Sequence, residues 1–456
     1  MHRDHRARSR RGEVTMRATG RALNGLPSNH IYDAVIVGGS VAGSAVAMAL
    51  AKRGMDVLLC EPGLASHKLL AGELLQAPAA KALIDLGFMD AAWSAGAVAS
   101  CGIVVVAPDL KAPVVLPYAT VPGLHPSGVA IEHATLAAVM LARTSRRRGV
   151  TFVAARAQAL QDLHGEQAAS VELCDDAGSR RVQGRVIIAA DGKQSRMRQA
   201  AGISIDKGPN VRMCGLKIAG TLPCEGFGHV FLGGRRPVLA YRISGDEIHV
   251  VFELAGDTGG VDPRDLDMLP LEVRRRVCDV IARGELSTAV INAMTPHARA
   301  KGRLALIGDA GGTVHPISAS GVSFALTDAL CLAGAMTAHY GDHQCALDVY
   351  AREREQPMRT RSVLGEALAE TLAGESEAMH ALREGLLHYW IDDPANRAAS
   401  IGLLSTHDGR PAALAKEYGK VALKTIGQLR GRGASWSDTA RVGLALGKKA
   451  LAIARR

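Results

Sequence analysis

The pattern of apolar positions predicts an α/β chain that opens with a strand, a glycine-rich turn and a helix. Residues 31–37 (IYDAVIV) are rich in strand-forming residues, and residues 44–54 (SAVAMALAKRG) are helix-forming. The glycines of VIVGGSVAGS (35–44) therefore lie at a strand-to-helix turn. Residues 56–61 (DVLLCE) follow as a second apolar strand, which is the order of a βαβ unit.

Later segments repeat the arrangement of a buried strand that runs into glycine. RVIIAADG (185–192) and RLALIGDA (303–310) both have this form. Residues 101–118 and 210–254 alternate apolar and polar positions, which is typical of antiparallel strands. Residues 351–456 have a helical composition. The pattern predicts a Rossmann-like α/β unit, a separate antiparallel sheet and a C-terminal helical region.

Charge is concentrated at the two ends of the chain. The net charge is +10, of which residues 1–30 carry +5 and residues 412–456 carry +8, so the remainder is near −3. A nearly neutral body argues against a nucleic-acid groove and predicts no nucleic-acid partner. Residues 1–30 lack the apolar stretch of a secretory signal, so we expect a disordered basic arm or an upstream start that is not used.

Composition narrows the class further. Hydrophobic residues make up 48% of the chain and aromatic residues only 4%, which is typical of an alanine-rich globular protein. The eight cysteines form no CxxC pair and none lies at metal-ligand spacing from a histidine, so we expect a reduced, cytoplasmic protein with no metal. No uncharged apolar run reaches the roughly 18 residues of a membrane span.

The glycine-rich turn has the features of a dinucleotide site. Gly38 permits the tight turn, Gly43 permits close packing of helix on strand, and Ser40 is small enough for a pyrophosphate to approach the backbone. The free N–H groups at the helix start can hold phosphates. Glu61, 18 residues after Gly43, can accept both ribose hydroxyls. A glycine-rich turn of another α/β protein, with Glu61 on the surface, is the alternative.

Three motifs in one order point to a family. They are the turn at 38–43, then Asp191-Gly192-x-x-Ser195-x-x-Arg198, then Gly308-Asp309-Ala310 with His315-Pro316 and Gly321. This order and spacing resemble the FAD-dependent class A flavoprotein monooxygenases, which have the aromatic hydroxylase fold. Segments across about residues 31–425 look like squalene epoxidase in particular, and GELLQ (72–76) is the most specific of them.

The chain departs from squalene epoxidases at several positions. Ile103 stands where those enzymes carry a tyrosine, and Leu69, beside Lys68, stands where they carry an arginine. The segment 318–321 (SASG) replaces their Thr-Gly-Gly-Gly. His133 takes the place of an arginine that opens a helix in many related hydroxylases. These changes are compatible with the predicted fold and with flavin binding, but they leave the identity of the substrate undetermined.

The resemblance implies how the chain is divided. It implies a discontinuous, three-layer ββα FAD-binding domain at 31–100, 125–200 and 295–350, a substrate-binding β-sheet domain at 101–124 and 201–294, and a basic C-terminal helical region at 351–456. In that family the Gly-Asp motif places its Asp, here Asp309, on the FAD ribityl and pyrophosphate. The helix that begins near Gly321 would point its positive end at the flavin.

The resemblance also implies site residues. The implied cofactor contacts are Gly38, Gly39, Ser40, Val41, Ala42, Gly43, Glu61, Lys68, His133, Ala157, Asp191, Gly192, Asp309, Pro316, Gly321 and Val322. No residue is assigned a catalytic role, although His315 is a candidate proton relay as well as a plain turn residue before Pro316. Ile103, Tyr118 and Tyr241 are candidates for the substrate pocket, and both tyrosines also suit the core.

The function that the resemblance implies is insertion of one oxygen atom from O₂ into a lipophilic substrate. The reaction would use FAD, NAD(P)H and a flavin C4a-hydroperoxide, and would epoxidise or hydroxylate a prenylated aromatic, a quinolone-type secondary metabolite or a polyene. The alternatives are squalene epoxidase proper, an FAD-dependent polyprenyl reductase of geranylgeranyl type, and a flavin-binding protein without turnover. An electron-donating reductase is a further candidate partner. The basic C-terminal helices predict a peripheral position on the inner face of the cell membrane.

Overall fold

The computed structural model describes residues 20–64, 72–254 and 261–455, which form 18 β-strands and 12 α-helices. The strands are β1 Ile31–Val37, β2 Val57–Cys60, β3 Gly72–Leu75, β4 Val98–Ser100, β5 Gly102–Val106, β6 Val114–Pro117, β7 Gly128–Glu132, β8 Val150–Val153, β9 Arg156–Gln161, β10 Ala169–Asp175, β11 Gly178–Ala189, β12 Ile205–Ala219, β13 Gly228–Phe231, β14 Val238–Ser244, β15 Glu247–Glu253, β16 Ser287–Pro296, β17 Ala300–Lys301 and β18 Leu304–Leu306. The helices are α1 Val41–Ala51, α2 Ala77–Leu86, α3 Met89–Ser94, α4 His133–Thr144, α5 Arg196–Ala200, α6 Leu271–Ala282, α7 Gly321–Ala338, α8 His343–Ala373, α9 Glu377–Asp392, α10 Pro394–Leu404, α11 Pro411–Gly431 and α12 Trp436–Arg455.

The first sheet has a parallel core. Its strands run β17-β18-β11-β1-β2-β8, and β10 and β9 add to it through β11. The pairs β1–β2, β2–β8, β1–β11 and β11–β18 are parallel. Because layers cover both faces, β2 is buried at every position. The predicted second strand at 56–61 is thus confirmed as β2 beside β1.

Helices and antiparallel strands cover opposite faces of this sheet. Helices α1, α2, α4 and α7, with the start of α8, form one apolar core against it, which includes Ile36, Leu50 and Leu326. A second apolar cluster on the other side brings together β9, β10 and α5, with Val171 and Met197. The three layers match the predicted fold class, a Rossmann-like unit with an antiparallel sheet and C-terminal helices.

The second sheet runs β16-β12-β15-β14-β13-β5-β6. All its pairs are antiparallel except β13–β5, where Gly228 pairs with Ile103 in parallel register. The sheet is therefore antiparallel, as predicted, at every pair but this one. The physical reason is connectivity, because residues 107–227 separate the two strands and a parallel pair needs such a long crossover.

A small sheet joins these two units. Its order is β3-β7-β4, and both pairs are antiparallel. Alternation along β3 turns Glu73 and Leu75 to one side and Leu74 and Gln76 to the other. Leu75 lies in the apolar core of the first sheet, whereas Leu74 lies in the cluster under the C-terminal helices. This strand therefore divides two regions of the molecule.

The C-terminal helices cover the second and third sheets. Leu382, Trp390, Leu414 and Leu446 pack in one cluster with residues of β5, β6 and β14. By length and composition, α7 is apolar enough to cross a membrane, but 61% of that stretch is buried inside the protein. It lies in the core between the first sheet and α8.

Candidate functional site

The three sequence motifs meet at one cavity of about 810 Å³. Gly38, Asp191 and Asp309 all line it, and each follows the carboxyl end of a parallel strand. Strands β1, β11 and β18 are consecutive neighbours in the sheet. The carboxyl ends of adjacent parallel strands form one edge, which is where open α/β sheets bind ligands. Motifs that are about 270 residues apart along the chain therefore face a common space.

The first turn tolerates only glycine at two positions. Gly38 has a φ of +101°, and a Cβ there would lie 2.4 Å from the Ala190 carbonyl oxygen. A Cβ on Gly43 would lie 1.8 Å from the Gly38 carbonyl oxygen. The Ser44 hydroxyl donates to the Gly39 carbonyl at 2.7 Å. The turn is thus fixed tightly against β11, with its backbone open to the cavity.

Glu61 lines the cavity at the end of β2 and also holds the turn. Its Oε2 accepts from the Gly39 N–H at 2.8 Å, and its Oε1 accepts from the Gly63 N–H at 3.0 Å. Each carboxylate oxygen keeps a further lone pair for a ligand hydroxyl. The predicted ribose contact is compatible with these bonds and stays a prediction.

Asp191 carries an unsatisfied buried oxygen. Its Oδ2 accepts from the Met197 N–H at 3.2 Å, but its Oδ1 is buried without a hydrogen-bond partner among the described residues. An unpaired buried acceptor costs on the order of 1–3 kcal/mol, so native structures leave few of them. A ligand hydroxyl in the cavity would satisfy it.

The spacing of residues within the second motif has a structural explanation. The Ser195 hydroxyl accepts from the Arg198 N–H at 3.0 Å and caps α5. The buried Arg198 guanidinium donates to the Ala310 carbonyl at 3.1 Å and to the Lys193 carbonyl at 2.9 Å. Burial lowers the pKa of Arg198, and the nearby Asp191 charge opposes that shift. Arg198 therefore ties the loop of the second motif to the loop of the third.

The third motif forms a tight turn beside a helix N-terminus. Asp309 lies in the 3₁₀ turn Gly308–Gly311, and the Gly308 N–H donates to Asp328 Oδ2 at 3.2 Å. Helix α7 begins at Gly321, as predicted, and Gly321 and Val322 line the cavity. The partial positive charge of a helix N-terminus therefore faces the space that Asp309 also faces.

A buried ionic cluster supports this turn from behind. Asp328 Oδ1 accepts from Arg354 Nε at 2.7 Å, and its Oδ2 lies 3.6 Å from Arg299 Nη1. All three side chains are buried. The guanidinium carbons of Arg354 and Arg361 lie 4.7 and 4.4 Å from the centre of the Phe324 ring. The α7–α8 interface is therefore held by charge as well as by apolar packing.

Most of the predicted cofactor residues line the cavity. These are Gly38, Ser40, Val41, Ala42, Glu61, His133, Ala157, Asp191, Gly192, Asp309, Gly321 and Val322. Gly39 and Gly43 shape the turn from behind, and Pro316 begins the 3₁₀ turn Pro316–Ser318. Lys68 lies outside the described residues. Their contacts with FAD stay predictions.

The cavity also has lining residues that the sequence did not single out. Glu73 Oε1 lies 2.8 Å from His133 Nδ1, and both side chains face the cavity. Alternation along GELLQ could have placed Glu73 there. Arg156, Gln194 and Arg196 also line the cavity and bring two positive charges. Arg156 carries no local signal, because its position depends on how β9 joins the sheet.

His315 is engaged in its own turn. Its Nδ1 accepts from the Ile317 N–H at 3.3 Å, and its Nε2 lies 3.9 Å from Glu253 Oε2. Burial and the Arg236 charge lower the pKa of His315. These contacts favour the turn role over a proton relay, and the relay stays an untested prediction.

The three candidates for the substrate pocket share one apolar cluster. Ile103, Tyr118 and Tyr241 are all buried in it. The Tyr241 hydroxyl lies 2.9 Å from His249 Nδ1 on the next strand, and burial lowers the pKa of that histidine to about 4. Both tyrosines are therefore core residues with satisfied hydroxyl groups, and a substrate contact stays a prediction.

Tyr118 belongs to a chain of hydrogen bonds that reaches the loop before α7. Its hydroxyl donates to Gln76 Oε1, and Gln76 Nε2 donates to the Ser318 carbonyl at 3.1 Å. The hydroxyls of Ser318 and Ser320 are 2.8 Å apart. Ala319, between these two serines, has a left-handed backbone conformation with φ +46°. The Thr-Gly-Gly-Gly segment of squalene epoxidases has glycine at this position. The chain of bonds holds this loop at the start of α7.

The chain is similar in sequence to known proteins over most of its length. The squalene epoxidase family model matches residues 183–437. Squalene epoxidase erg1 of Aspergillus fumigatus is 26% identical over 426 residues, which cover 88% of this chain and 87% of that protein. Ubiquinone hydroxylase UbiL of Rhodospirillum rubrum is 26% identical over 429 residues, which cover 88% of each protein.

Solved structures share the fold at lower identity. PqsL of Pseudomonas aeruginosa in complex with 2-aminobenzoylacetate superposes with a TM-score of 0.63 at 21% identity, covering 75% of this chain and 97% of that one. The p-nitrophenol 4-monooxygenase PnpA of Pseudomonas putida gives 0.67 at 18% identity, covering 82% and 98%. Such similarity places the architecture of this chain among flavoprotein monooxygenase folds.

Proposed function

This chain belongs to the squalene epoxidase family, and on that premise we propose that it transfers one oxygen atom from O₂ to a lipophilic substrate that carries a polyprenyl chain. The protein is an FAD-dependent monooxygenase, and NAD(P)H is the reductant typical of its relatives. The single observation that carries the proposal is the convergence of three flavoprotein motifs on one cavity of about 810 Å³.

The cavity residues suit FAD. We assign Glu61 and the turn at 38–43 to the adenosine and pyrophosphate part, and Asp309 to the ribityl and pyrophosphate part. The orphaned Oδ1 of Asp191 supports the assignment, because a hydroxyl of the cofactor would pair with it. The chemistry that FAD supplies when bound is acceptance of two electrons from NAD(P)H and activation of O₂.

The chain itself supplies orientation and a dry reaction space. Glu73 lines the cavity, while its neighbour Leu74 lies in the apolar cluster with Ile103 and Tyr241. Strand β3 therefore borders both the proposed cofactor cavity and an apolar region. Exclusion of water protects a reactive oxygen donor, and fixed placement of the substrate lowers the barrier without side-chain acid–base chemistry.

Two relatives are named after their substrates, and both of these substrates contain a polyprenyl chain. One relative is named for squalene, a linear polyprenyl hydrocarbon, and another for ubiquinone, a prenylated ring. The apolar cluster around Ile103 suits the hydrocarbon part of such a substrate. The proposal does not specify whether the oxygen goes to a ring carbon or to a double bond. It therefore includes both hydroxylation and epoxidation.

The proposed reaction predicts a yellow protein that consumes O₂ with substrate. Heat should release the flavin, because no cysteine or histidine of the sequence lies in a recognisable flavin-attachment motif. The released flavin should be FAD and not FMN, because the turn at 38–43 has the features of a dinucleotide site. We expect NAD(P)H-dependent O₂ uptake when squalene or a prenylated quinone is added as substrate. Parallel assays include a separate reductase as electron donor. Product from ¹⁸O₂ should gain one labelled oxygen atom by mass spectrometry.

The same assay separates the alternatives. A polyprenyl reductase would add hydrogen to the substrate, without substrate-dependent O₂ uptake and with no labelled oxygen in the product. A flavin-binding protein without turnover would change no lipid. Protein that cannot be loaded with FAD under any condition would contradict the proposal at its first step.

We also propose that the C-terminal helices dock on an anionic membrane surface. Helix α12 packs inward through Val442, Leu446 and Ile453, yet Leu444 and Leu451 are 64% and 51% exposed on its outer side. Residues 412–456 carry a net charge of +8. Each cation near an anionic leaflet contributes about 1 kcal/mol, and exposed leucines add burial in the headgroup layer. A peripheral position would let a lipophilic substrate enter from the bilayer.

Liposome flotation tests this docking. The double variant Leu444→Glu/Leu451→Glu should lose most of its binding to anionic vesicles at low salt, roughly ten-fold or more, because two apolar contacts become charged. The matched control is Leu271→Glu on α6, a leucine that is 72% exposed away from these helices. Equal flotation of wild type, double variant and control would show that α12 only packs on the protein.

A further inference from the structure

We propose that Arg361 is a positioning residue that raises the electron affinity of the bound flavin by placing a fixed positive charge behind the N-terminus of α7. The inference rests on the proposed FAD site. It extends that site to a residue of α8 that does not line the cavity itself. Neither the three motifs nor the GELLQ segment points to this arginine.

Contacts hold the Arg361 guanidinium at the start of α7. The side chain is only 6% exposed, and its Nε donates to the Ser320 hydroxyl at 2.8 Å. Its centre lies 4.4 Å from the Phe324 ring centre, one turn into α7. A Cβ on Gly321 would lie 3.8 Å from Nη2, so the guanidinium lies beside the first residue of the helix. Gly321 lines the cavity on its other side.

The charges around Arg361 leave an excess of positive charge. Asp328 already binds Arg354 at 2.7 Å and lies 3.6 Å from Arg299. Arg361 instead donates to the neutral Ser320 hydroxyl and approaches the Met358 sulfur at 3.8 Å. Burial lowers the pKa of Arg361 to about 10, with the charges of Asp328 and Asp309 opposing that shift. The guanidinium therefore stays charged at neutral pH.

Reduction creates the negative charge that this arrangement favours. A hydride from NAD(P)H brings two electrons and one proton to the flavin and leaves one negative charge, centred on N1 and C2=O. Interactions with developing charge are strong where water is excluded. The dipole of α7 and the Arg361 charge act in the same direction, so both stabilise the reduced state over the oxidised state.

The test measures flavin properties that a purely structural arginine would not change. Sulfite adds to oxidised flavin, places negative charge at the same atoms and bleaches the yellow colour, so its dissociation constant reports the local charge. In Arg361→Met we expect sulfite affinity to fall by about ten-fold or more. A ten-fold change in the two-electron equilibrium corresponds to a midpoint potential lower by about 30 mV. Arg361→Lys should restore most of both values.

A control on the same helix separates charge in general from charge at this position. Arg359 is exposed on α8 and lies 2.5 Å from Glu355, so Arg359→Met should keep the wild-type sulfite affinity and potential. Wild-type values in Arg361→Met, or values in Arg361→Lys as low as those of Arg361→Met, would overturn the role of Arg361.

Two further readouts keep the test decisive. If Arg361→Met does not fold, the wild type still tests the direction of the effect, because bound FAD with a midpoint potential lower than that of free FAD overturns the proposal. Wild-type protein that binds no FAD overturns the proposed function together with this inference. If the wild type binds FAD but Arg361→Met has the same sulfite affinity and midpoint potential, this inference is overturned and the proposed function is not.

Discussion

Asp309→Ala is expected to lose most of its flavin, with affinity for FAD lower by about ten- to a hundred-fold. Removal of a charge-assisted hydrogen bond costs roughly 1.5–3 kcal/mol, and Asp309 faces the cavity where we place the ribityl and pyrophosphate. The measurement is titration of apoprotein with FAD, followed by quenching of flavin fluorescence. The purified variant should also carry less flavin per protein than the wild type.

Two variants sharpen this prediction. Asp309→Asn keeps the size of the side chain and removes its charge, so it should fall between wild type and Asp309→Ala. Glu61→Ala should weaken FAD less than Asp309→Ala, because Glu61 is expected to contact only the ribose. Since Glu61 also fixes the turn through Gly39, its loss should still be measurable. Wild-type affinity in Asp309→Ala would contradict the assignment of this cavity region.

Asp328→Ala is expected to lower the free energy of unfolding by about 3–5 kcal/mol, because it leaves buried arginine charge uncompensated. Asp328 is 2% exposed, binds Arg354 at 2.7 Å and accepts from the Gly308 N–H at 3.2 Å. The measurement is urea unfolding of the apoprotein. The variant should therefore unfold at a clearly lower urea concentration than the wild type.

The control for this prediction lies on α8. Glu355 is exposed and pairs with Arg359 one helical turn away, so Glu355→Ala should change stability by no more than about 1 kcal/mol. An Asp328→Ala protein as stable as the Glu355→Ala protein would show that the cluster is not a structural support. In that case the loop at Gly308 would have to be held by other contacts.

Local patterns predicted the elements that carry the motifs. Strand β1, the turn at Gly38 and helix α1 follow from side chains that are adjacent in sequence, because apolar alternation and backbone geometry are local properties. The start of α7 at Gly321 was predicted for the same reason. The convergence of the motifs was implied by the resemblance to flavoprotein monooxygenases, and the structure shows its basis, since the strands that end in these loops are neighbours in one parallel sheet.

Long-range partners were not predictable in this way. Arg354 meets Asp328 across 26 residues, and Tyr118 meets Gln76 across 42 residues. The parallel pairing of β5 with β13 joins segments that are separated along the chain by residues 107–227. Such contacts depend on how helices and sheets pack against one another. The periodicity of apolar residues in a segment predicts which face is buried, but not which other segment covers that face.

The sequence by itself determined the fold class, the three loops of the candidate site and the carboxylates at their strand ends, because each is written in short, local patterns. Only the tertiary structure decided what surrounds those loops. It placed Glu73 beside His133 at the cavity, gave Glu61 a second role in the turn, and buried Arg361 against the start of α7. The physical reason is that charge and hydrogen bonding act through space, and packing alone determines which distant side chains come within their range.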